Sequence, residues 1–214
     1  MQRRQSSNDF NPVDYIELSR KTAIHEAGHA AACYFGNKRK QLPPVFFQII
    51  INDCSHGVYD NCTTKVKGGR LIHTLPSSIE EAICNFSLNQ QHAYQQAFEA
   101  DIINLLVGSI AEANYVALRD NEPISPELIP LYALHNYGGS ADLEIIYQYF
   151  DCFIADAQQQ EKKMIELFLA AFDFISDHTH WSAITTLANH ILTHDKHIID
   201  YEEVVGILNM RSVA

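Results

Sequence analysis

Hydrophobic and polar positions alternate with helical periodicity along most of this chain, interrupted once by a short strand-like stretch. Asp14 reads as an N-cap, and the pattern after it predicts a helix from about Tyr15 to Tyr34. Gly36-Asn37 is expected to end that helix. Lys38, Arg39 and Lys40 follow, where positive charge suits the end of the helix dipole. Pro43-Pro44 opens an extended segment, and Val45 to Ile51, β-branched and aromatic, reads as a strand. Asn52-Asp53 and His56-Gly57 supply turn residues, so Val58 to Thr64 is expected to return as a second strand, with Gly68-Gly69 in a loop. From Ser77 onward the period is helical. Ser78-Ile79-Glu80-Glu81 resembles a helix start. A long pattern from about Gln91 to Leu118 places Ala97, Ile102, Leu106, Ile110 and Ala113 on one apolar side. Pro123, Pro126 and Pro130 break the next stretch, and further helices are expected near 141–156, 158–174, 181–193 and 200–209. The fold class this predicts is mainly α (α+β), with one small antiparallel sheet after the first helix. Residues 1–13 are polar and expected to be mobile, and 14–214 are expected to form a single domain.

Composition narrows the classes of function. Of 214 residues, 47% are hydrophobic and 19% charged, which points to a packed core and not to a disordered chain. The formal net charge of −11 disfavours nucleic acid and anionic membrane as partners, since both would repel it. No unbroken apolar run approaches the ~20 residues that span a bilayer. Met1 to Asn11 lacks the apolar stretch of a secretory signal, so a soluble, cytoplasmic chain is expected. Five cysteines occur, Cys33, Cys54, Cys62, Cys84 and Cys152, with no C-x-x-C pair. Cys54 and Cys62 could face each other across a hairpin, but reduced thiols in or near the core are the expectation in that compartment.

The chemistry concentrates in the first predicted helix, at His25-Glu26-Ala27-Gly28-His29. Positions i and i+4 share a helix face with Cβ atoms ~5–6 Å apart, so two imidazoles can converge on one ion at ~2.0–2.1 Å each. The glutamate next to the first histidine can reach a metal-activated water without ligating the metal, and can take its proton. His25 and His29 are therefore the expected ligands of a Zn²⁺ ion, one per chain, and Glu26 the expected base. Gly28 inside a helix costs ~1 kcal/mol relative to Ala, which implies a packing constraint at that point. Catalytic zinc takes a third protein ligand. His56, His73, Glu112, His135, Asp142 and Glu144 are all candidates, and periodicity does not choose among them.

The stretch Lys21-Thr22-Ala23-Ile24-His25-Glu26-Ala27-Gly28-His29-Ala30 resembles the active-site helix of FtsH-type zinc proteases, whose pattern is close to A-x-H-E-A-G-H-A. Leu106 to Ala113 looks like that family's G-G-R-x-A-E-E segment, and Gly138-Gly139-Ser140-Ala141-Asp142-Leu143-Glu144 looks like its G-A-S-N-D-L-x segment. The resemblance covers about residues 15 to 210. It implies that Asp142 is the third zinc ligand, and that the strand Val45 to Ile51 lies where the family holds its substrate extended. Two departures stand out. The family's Gly-Gly-Arg is Val107-Gly108-Ser109 here, and no G-x-x-x-x-G-K-[ST] sequence or membrane helix is present, so no ATP site is expected in this chain. Glu112 lies on a helix expected to approach the metal helix, where it could accept a hydrogen bond from His25 or His29.

These readings imply an ATP-independent zinc metallopeptidase (a metalloendopeptidase) that hydrolyses exposed or unfolded peptide segments, bound as an added strand at the sheet edge. The alternative is a catalytically inactive FtsH-peptidase-like binding or adaptor module, and a zinc hydrolase acting on another bond is a third reading. Two histidines with a carboxylate also suit non-haem iron, where Glu26 would have no clear role. The family forms hexameric rings, so an oligomer is a further implication of the resemblance. His190, His194 and His197 follow i, i+4, i+7 spacing and read as a solvated helix face.

Overall fold

The computed structural model describes residues 12–51 and 64–210. Helix α1 spans Pro12–Ala31, continues through a π-helical turn at Ala32–Gly36 and closes in a short α2, Asn37–Arg39. It starts earlier than the pattern implied: proline is preferred in a first helical turn because its missing N–H has no partner there anyway, and Asp14 lies inside the helix and not at its cap. Residues 12 and 13 are thus helical, while the rest of the segment expected to be mobile lies outside the described residues. Gly36 does not stop the helix either. Its φ of −63° is helical, and the chain turns only at Gln41, with φ 55°.

Strand β1 (Phe47–Ile51) is the middle of a three-stranded antiparallel sheet ordered β2-β1-β3. Strand β2 is Thr64–Gly68, so it begins where the second strand was expected to end; residues 52–63, with Cys54, His56 and Cys62, lie outside the described residues. Gly68 and Gly69 end β2 at φ +94° and +82°, a backbone region that favours glycine. Strand β3, Ile198–Ile199, comes from the far end of the chain and pairs Ile199 with Ile49. Two residues are too short to show alternation, which is why no pattern announced it.

Five further α-helices follow a short α3 at Ile79–Ile83, whose Ser78 cap accepts from the Glu81 amide. Helix α4 (Leu88–Asp120) opens with a capping box of Ser87 and Gln90 and closes on left-handed Asn121. After a 3₁₀ helix at Leu131–Tyr137 come α5 (Ser140–Phe153), α6 (Ala157–Ser176), α7 (His178–Thr193) and α8 (Tyr201–Asn209). Asp156, Asp177 and Asp200 cap the last three by accepting backbone N–H groups. The molecule is mainly α with one small sheet. Helix α4 is its spine, packed against α1 and α6 and burying Phe98, Ile102, Leu106 and Ile110. By length and composition α4 could cross a membrane, but 78% of its most apolar window is buried inside this protein, as in a core helix. One hydrophobic cluster runs from Ala23 in α1 to Leu208 in α8.

Where α1 crosses α4, small residues face each other. A Cβ at Gly28 would lie 2.9 Å from the Ala111 Cβ and 3.1 Å from the Val107 carbonyl. This is the constraint that the glycine in the middle of α1 implied: the two backbones approach too closely for a side chain.

Candidate metal centre

His25 and His29 project from one face of α1 towards α4 and the first turn of α5, which carries Asp142. The three side chains meet. His25 Nε2 lies 3.0 Å from His29 Nε2 and 3.2 Å from Asp142 Oδ2, and His29 Nε2 lies 3.3 Å from the same oxygen. Ligands ~2.0–2.1 Å from a tetrahedral ion are separated by about 3.3 Å, so this triangle has the dimensions of one face of such a site. The three groups could hold a metal ion.

The opposite ring atoms are held from α4. His29 Nδ1 lies 2.8 Å from the Asn104 carbonyl, to which it donates, leaving Nε2 free to ligate. His25 Nδ1 lies 3.4 Å from Glu112 Oε2, so Glu112 stands behind His25. Two glycines make room. A Cβ on Gly108 would collide with the His29 ring, and one on Gly138 would lie 3.0 Å from both Glu112 Oε2 and His25 Nδ1. Gly138, at φ +72°, closes the 3₁₀ helix and turns the chain into α5, and Gly139 packs directly over Ser109 of α4. The Gly138-Gly139 turn thus sets Asp142 down beside the histidines.

Burial opposes charge on the cluster, but the mutual interactions are stronger. His25 is 6% exposed; burial pulls its pKa down, while Asp142, Glu112 and Glu26 push it up, to about 10. His29 is raised in the same way, against burial, chiefly by Asp142. Burial also disfavours the Asp142 carboxylate, yet the two imidazoles hold it well below the usual carboxylate range.

Glu26 lies one residue along α1, and its Oε2 accepts the backbone N–H of Val66 in β2 at 2.6 Å. The base candidate is thereby pinned between the ligand cluster and the outer edge of the sheet, and all four residues line one open groove. Asp101, which no motif pointed to, shapes the far wall. Fully buried, it accepts the Leu71 and Ile72 amides at 2.8 Å each and the Tyr149 hydroxyl at 3.0 Å, fixing the segment after β2. Its helical spacing resembles that of any buried residue, so only the packing reveals its role. Cys33 also lines the groove, but burial pushes its thiol up to about 12 and it donates to the Gly69 carbonyl, which leaves it a poor nucleophile.

The other third-ligand candidates separate clearly. His73 lines the groove without joining the cluster, His135 binds the Tyr132 carbonyl, Glu144 is exposed, and His56 lies outside the described residues. A second group forms at the C-terminal end of α7. His190 Nε2 lies 3.0 Å and His194 Nδ1 3.5 Å from Glu203 Oε1 of α8, with Lys196 Nζ 3.7 Å from the other oxygen. The run is not a uniform solvated face: His194 is nearly buried, and His197 turns away to the Ile51 carbonyl because the helix ends at Thr193. No protein-family model, no curated protein and no solved structure matches this chain.

Proposed function

We propose that the chain is an ATP-independent zinc metallopeptidase, with His25, His29 and Asp142 as the metal ligands and Glu26 as the general base. The observation that carries this reading is the triangle of Nε2, Nε2 and Oδ2 atoms, 3.0 to 3.3 Å on a side, opening into the same groove as Glu26. When bound, zinc supplies Lewis acidity that brings the pKa of an attacking water towards ~7.

The chain's own residues do the rest. The Asn104 carbonyl fixes the His29 ring by accepting from its Nδ1, and the Glu112 carboxylate, 3.4 Å from His25 Nδ1, backs the His25 ring from the opposite side to Asp142. Glu26 takes the proton of the attacking water and returns it to the leaving amine. The Val66 N–H holds one carboxylate oxygen of Glu26, which fixes the other relative to the reacting centre. A substrate peptide lies extended along β2, the strand nearest the ligands, as an added strand. The H-E-A-G-H helix and its likeness to FtsH-type proteases support the same reaction class. The donor set also suits non-haem iron, but that chemistry leaves Glu26 without a task.

A binding module that never turns substrate over is the second reading. Its support is the Val66 bond itself, which engages the carboxylate that catalysis needs. Metal analysis and peptide hydrolysis by the wild type, Asp142→Ala and Glu26→Gln decide between them. The peptidase reading expects about one zinc per chain in the wild type, clearly less in Asp142→Ala, and in Glu26→Gln metal retained with turnover lost. Full activity in Glu26→Gln would sink it, and zinc binding without turnover by the wild type would favour the module.

A further inference from the structure

The whole chain carries a formal charge of −11, yet one edge of the groove beside the candidate ligand cluster carries two exposed lysines. The groove's three carboxylates match Lys65, Lys67 and Arg70 in number, but each is held on partners other than the two lysines. Glu26 accepts from Val66, Asp142 faces the two histidines, and Asp101 is buried on backbone amides. Lys65 and Lys67 of β2 also line the groove, both are exposed, and among the described residues neither takes part in an ion pair.

The register of β2 says how these lysines are presented. Lys65 and Lys67 stand opposite Ile50 and Gln48 of β1, and Val66 between them turns its N–H away from β1 to Glu26. The edge of β2 that faces the ligands is thus centred on Val66. The two lysine side chains stand on one face of the strand, two residues and ~6.8 Å apart. An extended peptide laid beside β2 repeats its own side chains at that same interval, so carboxylates at alternate positions can face both lysines.

We infer that the groove selects extended peptides bearing acidic side chains two residues apart. This rests on the peptidase reading for the place of the substrate, and it names that substrate's class. The lysines act by charge, so the selection weakens with salt.

Three fluorescent peptides test it, identical except for Glu, Gln or Lys at two alternate positions. Their binding to zinc-loaded Glu26→Gln protein is measured by anisotropy, and their hydrolysis by the wild type is measured in parallel. The Glu peptide is expected to bind about fivefold tighter than the Gln peptide, and the Lys peptide weaker than both. The order should invert in Lys65→Glu/Lys67→Glu and the gap narrow in Lys67→Gln alone. Both sites are exposed, so these variants keep the wild-type circular dichroism spectrum. Binding of all three peptides within twofold, no binding of any, or a Glu preference that survives in the double variant would each overturn the inference. Charge-selective binding without wild-type hydrolysis would uphold it and remove the peptidase reading. Hydrolysis without charge preference would do the reverse.

Discussion

Gly108 decides how His29 stands, although it carries no side chain. In most helices Gly→Ala gains ~1 kcal/mol. Here the new methyl would occupy the space of the His29 ring. Gly108→Ala is therefore expected to keep its circular dichroism spectrum while losing at least about tenfold in metal affinity, measured by competition with a chromophoric chelator. Protons compete at the same atoms. His25, with its pKa pushed up to about 10 by Asp142, Glu112 and Glu26 against the effect of burial, is protonated at neutral pH in the metal-free protein. A ligating imidazole must be neutral, so loading the site releases at least one proton, and affinity rises with pH through the neutral range. Calorimetric titration in buffers of different ionisation enthalpy reads that number directly, and no proton release would contradict a raised His25 pKa.

At the scale of elements, the contact of α1 with α4 sets the site because both histidines leave α1 on that side. Gly28→Val would wedge the helices apart at Ala111 and Val107, and should cost about 1–3 kcal/mol in denaturant unfolding. The loop after β2 depends on one buried carboxylate. Asp101→Ala strands the Leu71 and Ile72 amides, while the Tyr149 hydroxyl keeps the Ile72 carbonyl, an expected loss of about 1–3 kcal/mol. The same change frees the groove wall, so peptide binding should weaken more than metal binding; equal losses would show that Asp101 serves stability alone. Expected element boundaries failed where local signals competed. Gly36 marks a helix end in most contexts, but its helical φ lets α1 run on through a π turn to Arg39.

For the whole molecule, the candidate ligands join distant parts of the chain: His25 and Asp142 are 117 residues apart in sequence. A metal that binds only the folded state stabilises it by about 2.7 kcal/mol at a hundredfold excess over Kd. The thermal midpoint is therefore expected to rise by several degrees with zinc, and His25→Ala should abolish the rise. Without metal the pH dependence runs the other way from metal affinity. A histidine raised from 6.5 to about 10 stabilises the fold fully below 6.5, and that contribution is lost as pH climbs towards about 10.

Much of this architecture was legible in the sequence, because helical periodicity and capping are local. The pattern showed a mainly α chain, the long apolar α4, the Ser78 start of α3 and the strand that became β1. The His25-Glu26-His29 set followed from spacing alone, since i and i+4 share a helix face whatever the rest of the fold does. Asp142 stood among six equal candidates until a resemblance favoured it, and only the turn at Gly138-Gly139 shows how α5 brings it within 3.3 Å of both rings. Glu112 behind His25, the Asn104 carbonyl behind His29, the Val66 amide on Glu26, buried Asp101 and strand β3 belong to the tertiary structure. Each depends on which helix crosses which and at what distance, and small residues set those distances through the side chains they lack.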